Sequence, residues 1–83
     1  MEYGYITFRS VTHAQRGEKL LSQLKIRCTL QRTPRWMEEQ GCGYCLRLHS
    51  NELETAARAL RRSGAVYRRL WRGEESGMRE VWL

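Results

Sequence analysis

The chain has 83 residues, a formal net charge of +6 and 41% hydrophobic residues. A chain of this length builds one small domain with a thin core, which excludes a large buried pocket for a bulky cofactor and favours a shallow surface site. The positive charge is almost all arginine and no aspartate occurs, a balance that suits nucleic acid or an acidic protein without choosing between them, while a solubility role is the plain alternative.

Three cysteines are an odd number for a disulfide framework. No run is long and apolar enough to span a membrane, and Met1 to Tyr5 lacks a basic stretch followed by an apolar one. The expectation is a cytoplasmic protein with reduced thiols and no membrane partner.

In chain order, Tyr3 to Phe8 alternates and predicts a first strand. Ser10 or Thr12 then caps a helix whose apolar face is Ala14, Gly17, Leu20, Leu21 and Leu24. Gly17 costs roughly 1 kcal/mol of helix propensity, so close packing on the sheet is its expected use. Ile26, Cys28 and Leu30 alternate with Arg27, Thr29 and Gln31 in a second strand that Thr33-Pro34-Arg35 ends. Trp36 to Gly41 reads as a loop or helical turn. Tyr44, Leu46 and Leu48 alternate with Cys45, Arg47 and His49 in a third strand. Ser50 or Asn51 caps a second helix with a stripe of Leu53, Ala56, Ala57 and Leu60, stopped by Ser63-Gly64. Ala65 to Trp71 predicts a fourth strand, Gly73 to Gly77 a turn, and Met78 to Leu83 an apolar tail that could pair as a fifth.

This order predicts an α+β domain of ferredoxin-like βαββαβ plan: a four-stranded antiparallel sheet with two helices on one face. Residues 1–72 form the domain, and 73–83 a C-terminal tail or extra strand. The other sheet face is then left open. By alternation Tyr5, Arg27, Cys45, Arg47, Tyr67, Arg69 and Trp71 share it, and either Val81, Trp82 and Leu83 or a second copy of the chain would cover it.

The chemistry concentrates in Gly41-Cys42-Gly43-Tyr44-Cys45. Glycines on both sides of Cys42 let another molecule approach its sulfur. Thiolate is the reactive form, and Arg35 and Arg32, at the other end of the same loop, would favour it. The functional reading is a carrier thiol that holds sulfur or selenium as a persulfide or its selenium analogue, against a turn residue that is cysteine by chance. Cys45 would resolve that persulfide only if a turn at Gly43 brought the sulfurs together; otherwise it is a half-buried strand residue. Cys28 shares a face with Ile26 and Leu30 and reads as a small core residue. Cys42, Cys45 and His49 are one ligand short of a structural metal site, and His13 or Cys28 would have to come from a distant segment, so no metal and no cofactor is expected. Arg58, Arg61 and Arg62 read as a solvated helix face. RNA-recognition modules share this strand order, but the third strand lacks their aromatics and Tyr44 is expected to face the core.

These residues resemble those of the putative Se/S carrier-like family of small bacterial proteins. The likeness runs from about Tyr5 to Tyr67. It rests on Ile6-Thr7-Phe8-Arg9-Ser10 leading to His13-Ala14, on Glu18-Lys19-Leu20-Leu21, and on Thr33-Pro34-Arg35 followed by Cys42-Gly43 and Cys45-Leu46-Arg47-Leu48. The resemblance implies a cysteine-based role in handling sulfur or selenium, with Cys42 at the family's cysteine. It does not extend to Cys45, where similar proteins carry alanine or another small residue, or to the tail after Trp71.

The sequence therefore predicts a carrier or accessory protein rather than an enzyme, with protein donors and acceptors of sulfur or selenium as partners. The alternative is a non-catalytic basic binding module for RNA or protein that oligomerises through its open sheet face, with nucleic acid the lesser of these partners.

Overall fold

The computed structural model describes residues 2–35, 37, 43–74 and 77–83. The elements are β1 (Tyr3–Phe8), α1 (Val11–Gln23), β2 (Thr29–Arg32), β3 (Tyr44–His49), a 3-10 turn (Ser50–Glu52), α2 (Leu53–Arg62), β4 (Leu70–Glu74) and β5 (Gly77–Val81). The five strands form one antiparallel sheet in the order β2-β3-β1-β4-β5. The sheet thus has five strands where the core plan counted four. The fifth comes from the C-terminal segment, which pairs with β4 from Leu70↔Val81 to Glu74↔Gly77.

Ser10 caps α1 as expected: its Oγ accepts the His13 N–H at 3.3 Å. The helix turns Ala14, Gly17 and Leu21 inward. Leu24 differs from expectation, being half exposed at the C-cap. In α2, Leu53, Ala56, Ala57 and Leu60 are buried, and Gly64 ends the helix with φ +80°. No side chain caps α2; the 3-10 turn leads into it instead.

Both helices pack on the same face of the sheet. Ile6 and Phe8 of β1, Leu46 and Leu48 of β3 and Leu70 of β4 form one cluster with Ala14, Leu21, Leu53, Ala56, Ala57 and Leu60. Gly17 is what allows the approach of α1, since a Cβ there would lie 2.9 Å from the Phe8 ring. The buried Phe8 ring has no room to retreat.

The fourth strand starts later than its alternation suggests, at Leu70 rather than Ala65. Thr7 explains the difference. Its N–H donates to Arg69 O at 2.9 Å, its carbonyl accepts the Arg68 N–H at 2.7 Å, and its Oγ1 accepts the Arg69 N–H at 2.9 Å. Two residues share one partner, as in a bulge, and the ladder stops there. The slip also reverses the phase of what precedes it. Tyr67 packs against the helix-side cluster, not beside Trp71 as simple alternation places it.

The second face is not bare. Tyr5, Cys45 and Met37 form a second buried cluster there, with Tyr3, Trp71 and Met78 around it. The cover comes from Met37, in the connection between β2 and β3, with Met78 of β5 beside it, and not from Val81, Trp82 or Leu83. Val81 packs on the helix-side cluster, and Trp82 is 85% exposed.

The β4–β5 hairpin depends on Gly73. A Cβ there would lie 2.2 Å from the backbone oxygen of Gly77, whereas one at Gly77 would meet nothing within 4 Å. Gly73→Ala is expected to lower stability by about 1–3 kcal/mol, read as a fall in urea midpoint, while Gly77→Ala stays within about 0.5 kcal/mol of the parent. Equal effects from the two would show that β5 is not paired in this register.

Candidate functional site

The predicted site lies where β2 hands over to β3. Arg32, at the end of β2, pairs in register with Tyr44, at the start of β3. Its guanidinium sits 5.9 Å from the centre of the Tyr44 ring. The Thr33 N–H donates to Gly43 O at 3.0 Å, which ties the two ends of the connection together one residue beyond the ladder. Pro34 O accepts the Met37 N–H at 3.0 Å, closing a turn on which Arg35 is exposed. Met37 then drives its side chain into the Tyr5–Cys45 cluster and is 1% exposed. Burying a side chain of that size contributes about 1.5–3 kcal/mol and anchors this stretch to the sheet.

Of the predicted site residues, Arg32, Arg35 and Gly43 are therefore gathered at one end of the β2–β3 pair. Arg32 and Arg35 are exposed, and Gly43 is buried with its carbonyl bonded. Gly41 and Cys42 lie outside the described residues.

Cys45 is the predicted site residue on which the geometry says most. It sits in mid-sheet between Thr7 and Gln31, on the face that Met37 covers, and has no exposure. Its thiol points to Arg32 O, 4.0 Å from Sγ. Burial pushes the thiol from its ordinary value near 9 up to about 11, outweighing the opposite influence of Thr33, Gln31 and Arg47. At neutral pH Cys45 is a protonated, solvent-shielded thiol, more withdrawn than the half-buried strand residue its position suggested. Attack on another sulfur would first require both exposure and loss of that proton.

Cys28 is half-buried against the helix-side cluster, as its alternation with Ile26 and Leu30 predicts. Burial, reinforced by the Glu18 carboxylate, raises its thiol to about 11 as well. Among the described residues no three His, Cys, Asp or Glu side chains converge in a way that could hold a metal ion. His13 is occupied in capping α1, with its Nδ1 2.7 Å from Ser10 Oγ. Among the same residues no helix is long and apolar enough to cross a membrane.

Sequence reading missed Met37. A lone methionine within a polar loop carries no periodicity, so no signal marked it as the plug over the second face.

Two outcomes follow from the buried thiol. In a Cys28→Ser/Cys42→Ser background, Cys45 is expected to resist a small alkylating reagent at neutral pH, by mass spectrometry. Met37→Ala, which costs about 2–4 kcal/mol, opens it to labelling. Stability is also pH-dependent with a fixed sign. The unfolded thiol ionises near 9 and the folded one near 11, so the contribution of Cys45 is complete below pH 9 and drains away as pH rises toward 11. Urea midpoints across that window should fall less steeply in Cys45→Ala than in the parent.

No curated protein and no solved structure matches the chain. The family model described as "Putative Se/S carrier protein-like" matches residues 3–72, a span from the first strand through both helices into β4. The chain belongs to that family.

Proposed function

We propose that this protein carries sulfur or selenium on Cys42 and acts as a carrier or accessory protein, not as an enzyme. The observation that carries the reading is the family match, which spans Cys42 and its surroundings. The states of the other two thiols support it: Cys28 and Cys45 are both held in the protonated form by burial. A carrier thiol needs ready access to thiolate, and neither of these has it.

The chemistry balances without an external oxidant. The Cys42 thiolate attacks the outer sulfur of a donor protein's persulfide. A bond forms between Cys42 Sγ and that sulfur, the donor's S–S bond breaks, and the donor leaves as a thiolate. Delivery is the same displacement, with the acceptor's nucleophile attacking the outer atom and the Cys42 thiolate leaving. A selenium analogue follows the same path. Gly41 and Gly43, without side chains, would let the donor's sulfur approach. Arg35 and Arg32, exposed at the same end of the sheet, would stabilise the thiolate and the anionic persulfide. Direct resolution by Cys45 is not part of this cycle, because its sulfur lies beneath Met37. Donors and acceptors are then proteins that can place a sulfur against the mouth of the β2–β3 connection, and the expected compartment is the reducing cytoplasm. We read the sheet as a ferredoxin-like plan extended by β5, a reading supported by the placement of β1 between β3 and β4.

The test is intact mass after incubation with a cysteine desulfurase and free cysteine. One added sulfur is expected on the parent protein, released by a reducing thiol. It is absent from Cys42→Ser and retained in Cys28→Ser and Cys45→Ala. Retention in Cys42→Ser would sink the assignment.

A further inference from the structure

A groove of about 920 Å³ lies at the far end of the sheet from the β2–β3 connection, where β1 begins and β3 ends. Six residue steps along β3 lead from Gly43 to His49, about 20 Å of extended chain. The groove is therefore a separate place from the proposed carrier site. Its volume is at the upper end of the about 300–1,000 Å³ range of small-ligand clefts, room for a few linked units and far more than one small ion needs.

One wall is strongly basic. Lys19 of α1, Lys25 in the turn after it, and Arg27 line the groove, with Arg47 on the opposite side. Glu18 is the single carboxylate among its lining residues. Near the end of α1, Leu20 and Leu21 O accept the Leu24 N–H, Ser22 O accepts the Lys25 N–H, and Leu21 O also accepts the Ile26 N–H.

The other wall is a stack of flat groups. Tyr3 and His49 are directly paired across β1 and β3. Their rings stack with centroids 6.4 Å apart and planes at 21°. The Arg47 guanidinium lies over the Tyr3 ring, 4.9 Å from its centre. His49 ends this stack and is exposed. An acidic peptide would use the cations and leave an exposed flat ring idle. A strand of bases and phosphates uses both, since bases stack on imidazole and guanidinium planes while the backbone follows the cationic wall.

We propose that this groove binds single-stranded nucleic acid, with a base stacked on His49 at the end of the Tyr3–Arg47 stack and the adjoining phosphates along Lys19, Lys25 and Arg27. Tyr3, Arg47 and His49 stand on the second face, the one on which RNA-recognition modules stack their bases, at the end of the sheet away from the β2–β3 connection that carries Met37.

The probe is a fluorescein-labelled twelve-nucleotide oligouridine, followed by anisotropy across a salt series. His49→Ala is expected to weaken binding roughly tenfold, the loss of about one stacked base. Lys19→Ala/Arg27→Ala removes two phosphate contacts and should lower the slope of log affinity against log salt by about 1.4. All three replaced side chains are exposed, and a urea midpoint near that of the parent verifies folding. Arg9→Ala/Arg62→Ala removes the same charge from exposed positions outside the groove and should leave affinity within about twofold. Equal losses from the two double variants, an unchanged affinity in His49→Ala, or displacement of the probe by polyglutamate at matched charge would each overturn the proposal. Cys42→Ser is expected to bind like the parent, so this site and the carrier site stand or fall separately.

Discussion

The structure depends on β1 having two buried faces. It lies between β3 and β4, so its backbone is bonded on both edges. Its even positions, Gly4, Ile6 and Phe8, meet the two helices, while Tyr5 on the opposite face meets Cys45 and Met37. A strand in that position cannot shift by one residue without exchanging the two sets of side chains. The register with β3 and β4 is thereby fixed, and every position discussed for function is set relative to it.

That register decides the state of the sulfur in β3. Cys45 stands opposite Thr7, on the side where Met37 lies over the sheet. Desolvation penalises the thiolate more than a neighbouring arginine and two hydrogen-bonding side chains favour it. A position three residues after Cys42, near a cation, would suggest activation. The tertiary surroundings reverse the sign. The thiol of β3 is thus closed off inside the sheet, while Arg32 and Arg35 are exposed at the β2–β3 end.

The two ends of β3 then differ in character. At its start, arginines gather around the mouth of a connection that carries a glycine-flanked cysteine. At its end, cations and stacked rings frame a groove. Cations stand at both ends, and the charge balance alone does not separate them. The two proposed sites are separated by the length of one strand.

The sequence by itself determined α1, α2, β1, β3 and the helix-side core. Periodicity of 3.6 in α1 and α2 and of 2 in β1 and β3 reports which side chains avoid water, and the buried residues of both helices follow it almost position by position. It also pointed to the family, whose model matches residues 3–72. What only the tertiary structure decided depends on contacts between segments far apart in the chain. The bulge of residues 68 and 69 against Thr7 turned Tyr67 to the helix side. Met37 closed the second face and withdrew Cys45. Tyr3, Arg47 and His49 became a stack only when β1 paired with β3. None of these leaves a local pattern, because a hydrogen bond or a ring contact across forty or sixty positions depends on the register of a sheet, which alternation within one strand constrains but does not specify.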